Sequence, residues 1–267
     1  VAGPALPSLD AVHWSDGDVT RYKVRGPRYL RDRKKVRAET AAFELVAVDF
    51  LGYGSEPVAL ENAAARPGSW LQREAEQRAR SGEGPAPFTF AVQFQNPPSP
   101  HEVCGIVQYF RPRGELAGLT FRELCEQDTP EGRAMRDWVS GGMDETKHKK
   151  FKLIPRIVNA PWAVRAAIPV KPLLTENGLP TRCHLSPDES LLEVDLLVAN
   201  GGITERVYRS LLGQAKHVVC EIAFMLEGQA EDELPERILG VTRLHNLHPG
   251  LIVPLSQVAQ ERGGAGE

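Results

Sequence analysis

Two neighbouring segments with strand character most constrain the fold of this chain. In residues 88–97, FTFAVQFQNP, large apolar side chains alternate with polar ones. Successive side chains of a strand point to opposite faces of a sheet, so this alternation predicts a half-buried β-strand with Thr89 and Gln93 on its exposed face. Residues 102–112, EVCGIVQYFRP, follow a proline-rich turn and are its predicted hairpin partner. We therefore expect an antiparallel hairpin within the central sheet.

Strand and helix patterns recur along the rest of the chain, after a loop-like start over residues 1–20. A T-x-x-E capping box, Thr120 to Glu123, marks the start of one helix. No regular strand–helix–strand alternation is present, which predicts an α+β fold: a mainly antiparallel, strongly curved sheet packed with a few helices, with a START-like arrangement as one form of it. Further strands are predicted in residues 43–52, 147–168, 190–200, 220–228 and 237–247, and helices in 69–80, 119–142 and 204–217.

Residues 55–86 differ in composition from the segments around them. They are rich in Ala, Glu and Arg, with Pro and Gly at their edges. We interpret them as a peripheral insertion that carries the 69–80 helix, with Trp70 and Leu71 holding that helix to the body, and we expect the domain to fold without it. The whole of residues 12–248 is then a single domain, with 1–11 and 249–267 as extensions.

Bulk composition narrows the functional class. The formal net charge of −3 and the pI near 6.2 argue against a general nucleic-acid binder, which usually carries a basic excess. No apolar run approaches the roughly 20 residues that span a bilayer, and no signal-peptide pattern is visible. The four cysteines, at 104, 125, 183 and 220, form no C-x-x-C pair and are predicted to be reduced core residues. Together these features predict a cytoplasmic protein.

Catalytic and metal-binding signatures are absent from the sequence. There is no P-loop, no G-x-G-x-x-G after a strand, no G-x-S-x-G and no H-E-x-x-H. His245 and His248 could share a metal ion, but they precede a proline, and we interpret them as a polar strand exit. We therefore expect neither a metal nor another cofactor.

Two further pairs of reactive side chains have a structural interpretation that we prefer. Glu193 and Asp195 lie two apart on one strand face, where paired carboxylates can do acid–base chemistry, but a solvated strand face is commoner. His217 and Cys220 could form a nucleophilic pair, but a buried cysteine near a surface histidine is commoner. We therefore expect a protein that is not an enzyme.

A basic run in residues 21–39, RYKVRGPRYLRDRKKVRAE, stands out in a nearly neutral chain. Nine of its first 17 residues are Lys or Arg. One interpretation is a solvated turn paired with the acidic segment AEDELPE. The other is a surface for anionic headgroups or membranes, since each Lys or Arg near an anionic leaflet contributes roughly 1 kcal/mol. The candidate residues of that surface are Lys23, Arg25, Arg31, Lys34 and Lys35.

Five ordered motifs, spread over most of the chain, carry a resemblance to a known family. They are KVRGPRYLRDRKKV, FELVAVDFL, FKLIPRIVNAPWAVRAAI, LLEVDLLVAN and FMLEGQAEDELPERILGVTRLHNL. Together they resemble the C-terminal domain of the plant enhanced disease resistance 2 proteins, a domain of unknown function that also occurs alone in algae and protists. The resemblance covers about residues 12–248. The chain departs from the family's Y-L-E-x-D-x-D pattern at Leu191 and Leu197, which stand where the family has Tyr and Asp.

The resemblance implies a lipid-related role and no catalytic residues. In the plant proteins this domain follows a pleckstrin-homology domain and a lipid-binding START domain. We therefore expect a non-enzymatic module that binds a lipid or other apolar small molecule, is peripheral to an anionic membrane and has no nucleic-acid partner. The alternative is a protein–protein interaction or regulatory module with a solid core and no ligand. Candidates to line a ligand pocket are Phe88, Phe90, Phe94, Ile106, Tyr109, Trp162 and Phe224.

Overall fold

A computed structural model describes residues 13–52, 61–95, 103–140, 150–162, 173–174, 180–198, 214–247 and 253–254. Its helices are α1 Tyr29–Asp32, α2 Trp70–Ser81, α3 Phe121–Glu126 and α4 Pro130–Val139. Its strands are β1 Trp14–Asp16, β2 Lys23–Arg25, β3 Lys35–Arg37, β4 Phe43–Gly52, β5 Thr89–Gln95, β6 Val103–Pro112, β7 Phe151–Asn159, β8 Leu173–Leu174, β9 Thr181–Leu185, β10 Leu191–Leu197, β11 Val219–Leu226, β12 Ile238–His245 and β13 Val253–Pro254.

The strands form two large sheets and one small one. The five-stranded sheet has the order β1-β12-β11-β7-β8, and the six-stranded sheet has the order β13-β4-β6-β5-β10-β9. Neighbouring strands are antiparallel except for β10 with β5 and β13 with β4. The predicted α+β class with mainly antiparallel sheets is confirmed, and so is the β5–β6 hairpin, in which Phe90 faces Phe110.

The two large sheets pack face to face, and the main core lies between them. Phe94 of one sheet lies 6.2 Å from Phe224 of the other, and Phe90 lies 6.3 Å from Phe151, between ring centroids. Helices α3 and α4 add Phe121, Leu124, Met135 and Trp138 to the same core, and α3 begins with the predicted capping box at Thr120. The arrangement is thus two packed sheets, where the sequence suggested one strongly curved sheet.

Each large sheet carries a second layer on its outer face. The β2–β3 hairpin covers the five-stranded sheet, where Tyr22 and Val24 pack with Ala223 and Met225. A 3₁₀ turn at Ala63–Ala65 and helix α2 cover the six-stranded sheet. The hairpin and α2 therefore lie on opposite sides of the molecule.

The cover formed by residues 61–81 changes the environment of β5. Thr89 and Gln93 are 0% exposed, so the prediction of a half-buried strand is wrong for this strand. Ala63 and Ala64 of the covering turn are themselves buried. This packing also differs from the peripheral insertion that the composition of residues 55–86 predicted, because the described part of the segment closes one face of a sheet.

Other differences arise at the ends of segments. Residues 14–16, expected to be loop, form β1 and pair with β12. Of the helix predicted over residues 204–217, the structure describes a 3₁₀ turn at Ala215–His217, and the remainder lies outside the described residues. Residues 163–168, predicted as strand, and Gly141 and Gly142, predicted to end a helix, also lie outside them.

Candidate functional site

The basic run folds into a hairpin, which we call the basic hairpin (residues 21–37). Lys23 pairs with Arg37 and Arg25 with Lys35 in the antiparallel β2–β3 ladder, and α1 lies between the strands. Tyr22 and Val24 are buried against the five-stranded sheet. Because neighbouring side chains of a strand alternate, Lys23 and Arg25 point the other way. One face of the hairpin is therefore fixed by apolar packing and the other presents cations.

Arg25 is nevertheless drawn into the fold. Its guanidinium forms an ion pair with Glu227 and donates a 2.8 Å hydrogen bond to the carbonyl of Gly228. Its Nε atom also lies 3.5 Å from the carboxylate of Glu236, and that side chain is only 1% exposed. The same carboxylate forms an ion pair with the ammonium group of Lys152. Three of the sequence motifs thus meet in one ionic network. One interpretation of the basic run was a solvated turn paired with the acidic segment AEDELPE; Arg25 does pair with Glu236 of that segment, but the pair is largely buried.

The remaining candidates of the anionic surface are exposed. Arg31 forms two 2.8 Å hydrogen bonds with Glu231, so the acidic segment does neutralise one cation of the hairpin. Lys23, Lys34 and Lys35 are exposed and have no ion pair among the residues that the structure describes. The same holds for three cations that the sequence reasoning did not single out: Arg28, Arg33 and Arg37. Arg37 could have been found from the hairpin register, since it faces Lys23.

The structure brings together five of the seven pocket candidates. Phe88, Phe90, Phe94, Ile106 and Phe224 all lie in the core between the sheets, at 0–7% exposure. Tyr109 lies on the opposite face of its sheet, where its hydroxyl donates a 2.8 Å hydrogen bond to Asp49. Trp162, just beyond β7, is 83% exposed.

The four phenylalanines among the core candidates pack against other aromatic rings, and Ile106 lies in the same core cluster. Phe88 lies 5.2 Å from Phe121, and Phe110 lies 5.8 Å from Phe224, between centroids. These are ordinary distances for packed aromatic pairs. At these residues the space between the sheets is filled by side chains of the chain itself.

Glu193 and Asp195 are both 0% exposed, which corrects the interpretation of a solvated strand face. The backbone N–H of Ala64 donates to Glu193 at 3.0 Å, and that of Asn62 donates to Asp195 at 2.9 Å. The imidazole of His184 lies 3.0 Å from Asp195. Burial, and next the neighbouring Asp195 charge, raise the pKa of Glu193 well above its usual range. The covering turn explains the error, because strand periodicity does not show what packs on a face.

Among the described residues, no hydrogen bond joins His217 to Cys220, the two side chains considered as a nucleophilic pair. His217 is exposed at the end of a 3₁₀ turn, and burial raises the pKa of the nearby, half-buried Cys220 thiol to about 12, which disfavours its nucleophilic thiolate form at neutral pH. His245 contacts the hydroxyl of Ser15 at 2.9 Å, and His248 lies outside the described residues. Among the described residues, no three His, Cys, Asp or Glu side chains are grouped as a metal centre. None of the helices in this part of the chain is long and apolar enough to cross a bilayer.

Comparison with known proteins places the five motifs in one family. The family model for the C-terminal region of protein ENHANCED DISEASE RESISTANCE 2 matches residues 14–248. A protein ENHANCED DISEASE RESISTANCE 2-like from Arabidopsis thaliana is 26% identical over 242 residues, which are 90% of this chain and 30% of that protein. The chain thus spans about a third of the length of this relative. No solved structure matches. The chain belongs to the family of the ENHANCED DISEASE RESISTANCE 2 C-terminal domain.

Proposed function

We propose that this chain is a non-enzymatic module that associates reversibly with anionic membrane surfaces through the basic hairpin. One observation carries the proposal. Six exposed cations on a single hairpin have no ion pair among the described residues, while the buried face of the same hairpin is packed on a sheet: Lys23, Arg28, Arg33, Lys34, Lys35 and Arg37. The sheet holds these cations together in the absence of a partner.

The strength expected of this surface suits a peripheral protein. At roughly 1 kcal/mol for each cation near an anionic leaflet, six contribute at most about 6 kcal/mol, which corresponds to binding in the tens of micromolar. Exposed charges are screened beyond about 8 Å at physiological ionic strength, so the binding weakens as salt is added. A surface of this kind assists the attachment of a larger protein and releases readily.

A lipid enclosed between the two sheets is less well supported by the observed contacts than a membrane surface on the basic hairpin. The core candidates Phe88, Phe90, Phe94 and Phe224 pack against aromatic neighbours, so their contacts do not argue for a ligand at those positions. The START-like arrangement that would enclose a lipid stays a prediction, and so does a cytoplasmic location. An acidic protein partner is the alternative occupant of the basic hairpin, because it offers the same charge complementarity.

Co-sedimentation with vesicles tests the proposal. The chain should bind vesicles that contain phosphatidylserine at low salt, should not bind pure phosphatidylcholine vesicles, and should dissociate as salt is raised. Replacing Lys23, Lys34 and Lys35 by Gln should abolish the binding. A matched variant with Arg80, Arg122 and Lys216 changed to Gln removes the same charge from exposed positions elsewhere and should bind normally.

Two results would contradict the proposal. If the wild-type chain ignores anionic vesicles at low salt, the hairpin is not a membrane surface. If both triple variants lose binding equally, net charge and not the hairpin is responsible. Binding of soluble poly-glutamate without binding of vesicles would favour the acidic protein partner.

A further inference from the structure

A second group of polar side chains lies on the other side of the molecule, under the turn formed by residues 61–65. We call it the acid–amide cluster, and it consists of Asn62, Gln93, Glu193 and Asp195. Strands β10 and β5 are parallel here, and Asp195 is the direct neighbour of Gln93. Adjacent strands lie about 4.8 Å apart, so these two side chains emerge side by side on the same face. Asn62 lies against them through its backbone N–H, which donates to Asp195 Oδ2.

The cluster contains buried polar atoms that have no hydrogen-bond partner among the residues that the structure describes. They are Asn62 Oδ1, Asp195 Oδ1 and both Oε1 and Nε2 of Gln93. Gln93 and Asp195 are 0% exposed, so bulk water does not reach these atoms. Buried polar groups in folded proteins nearly always have a hydrogen-bond partner or a bound ion, because leaving them without one is costly. A bound group is therefore expected at this position.

The chemistry of the unpartnered atoms indicates what that group is. Three of the four are oxygens, and the one nitrogen belongs to an amide whose two ends can exchange by rotation. The carboxylate of Asp195 adds negative charge. Arg182, which faces Asp195 across the β9–β10 ladder, forms an ion pair with Glu61, and His184 contacts the other oxygen of Asp195. Oxygen ligands with excess negative charge favour a hard cation.

We propose that the acid–amide cluster binds one divalent cation of the Mg²⁺ or Ca²⁺ class. Asp195 Oδ1 and the amide oxygens of Gln93 and Asn62 are its protein ligands. Water fills the remaining coordination positions, as it commonly does for these ions. The cation fastens the 61–65 turn to the sheet. This site is independent of the proposed membrane surface, which lies on the opposite outer face of the sheet pair.

The test compares Gln93→Leu with Gln108→Leu. Both glutamines are fully buried on adjacent strands, but Gln108 lies on the core side, where its Nε2 donates to the carbonyl of Val92. The wild-type chain is stripped with EDTA and then titrated separately with MgCl₂ and CaCl₂ by calorimetry and thermal unfolding. We expect one bound ion per chain and a rise in Tm of roughly 5–10 °C when the free ion is at about 100 times its Kd.

The variants decide the location of the ion. Gln93→Leu should lose both the calorimetric signal and the rise in Tm, and Gln108→Leu should keep both. Asn62→Ala removes a ligand from the covering turn and should weaken binding at least tenfold; it replaces Gln93→Leu in the comparison if that variant does not fold. The proposal is overturned if the wild-type chain binds neither ion, which would leave water as the occupant. It is also overturned if the ligand variants bind either ion as tightly as Gln108→Leu.

Discussion

At the scale of single residues, two basic residues of one short strand have different roles. Lys23 and Arg25 share a face of β2, but only Arg25 forms ion pairs, with Glu227 and with the buried Glu236. Lys23 remains exposed. Charge alone therefore does not assign a residue to a binding surface; the position of acidic partners, distant in sequence, decides it.

Changing Arg25 to Gln should destabilise the fold strongly. The change leaves the carboxylates of Glu227 and Glu236 short of positive charge, and breaking a buried ion pair by removing one partner costs about 3–5 kcal/mol. We expect the low end of that range, because Lys152 still pairs with Glu236. Urea unfolding measures the difference in the free energy of unfolding, with Lys23→Gln as the matched control, expected within about 0.5 kcal/mol of wild type. Equal stability of the two variants would show that Arg25 is not part of the fold.

The cysteines should be unreactive in the folded chain. Burial raises the pKa of the Cys125 thiol to about 11 and that of Cys220 to about 12, and it also raises the pKa of Cys183. At pH 8 these thiols are almost wholly protonated, whereas the thiolate is the reactive form, so reaction with DTNB should be on the order of 100-fold slower than in the unfolded chain. A Cys104→Ser variant restricts the measurement to these three residues, and the same variant in guanidinium is the control. Rapid labelling of Cys183, which is buried, in the folded protein would contradict this expectation.

At the scale of elements, the helix over residues 69–80 could be predicted from the sequence, but the surface that it covers could not. The structure has it at Trp70–Ser81, with Ser69 as the N-cap, because capping and helical periodicity are local properties. Which strands the helix covers is not a local property, because those strands are distant from the helix in the sequence. The buried state of Gln93, Glu193 and Asp195 depends on a turn that arrives from more than 25 residues away in the chain. The acid–amide cluster could therefore not be predicted from the strand that carries the acids.

Ser69→Ala should loosen this cover. Ser69 is buried, its hydroxyl accepts a hydrogen bond from the N–H of Gln72, and it donates a 2.7 Å bond to the carbonyl of Ala64. Losing a serine cap costs about 1 kcal/mol, and the unpaired buried carbonyl adds to that cost. Ser81→Ala, at the exposed end of the same helix, is the control and should change the free energy of unfolding by less than about 0.5 kcal/mol. Equal effects in urea unfolding would mean that the turn is not held through Ser69.

At the scale of the whole molecule, the sequence predicted the class of the fold more fully than its layers. The strands of the β5–β6 hairpin and of the segments around residues 43–52, 190–200, 220–228 and 237–247 are present. The division of the strands into two facing sheets was not predicted. A period of two describes which side chains alternate along a strand, but it does not say which sheet the strand joins or whether its second face is covered. The outer layers come from segments with short or weak patterns of their own, the basic hairpin and residues 61–81.

The opposite placement of these two layers leads to a prediction about orientation on a membrane. If the basic hairpin binds an anionic vesicle, the surface around α2 faces away from it, since the two layers cover the outer faces of the two packed sheets. Hydrogen exchange should therefore slow at the backbone amides of the exposed residues 33–36 when phosphatidylserine vesicles are added, and it should stay unchanged in α2. The Lys23, Lys34 and Lys35 to Gln variant should lose the slowing at the hairpin. Slowing in α2 with no change in the hairpin would mean that the membrane contacts the other side of the molecule, and it would remove the structural basis for the proposed surface.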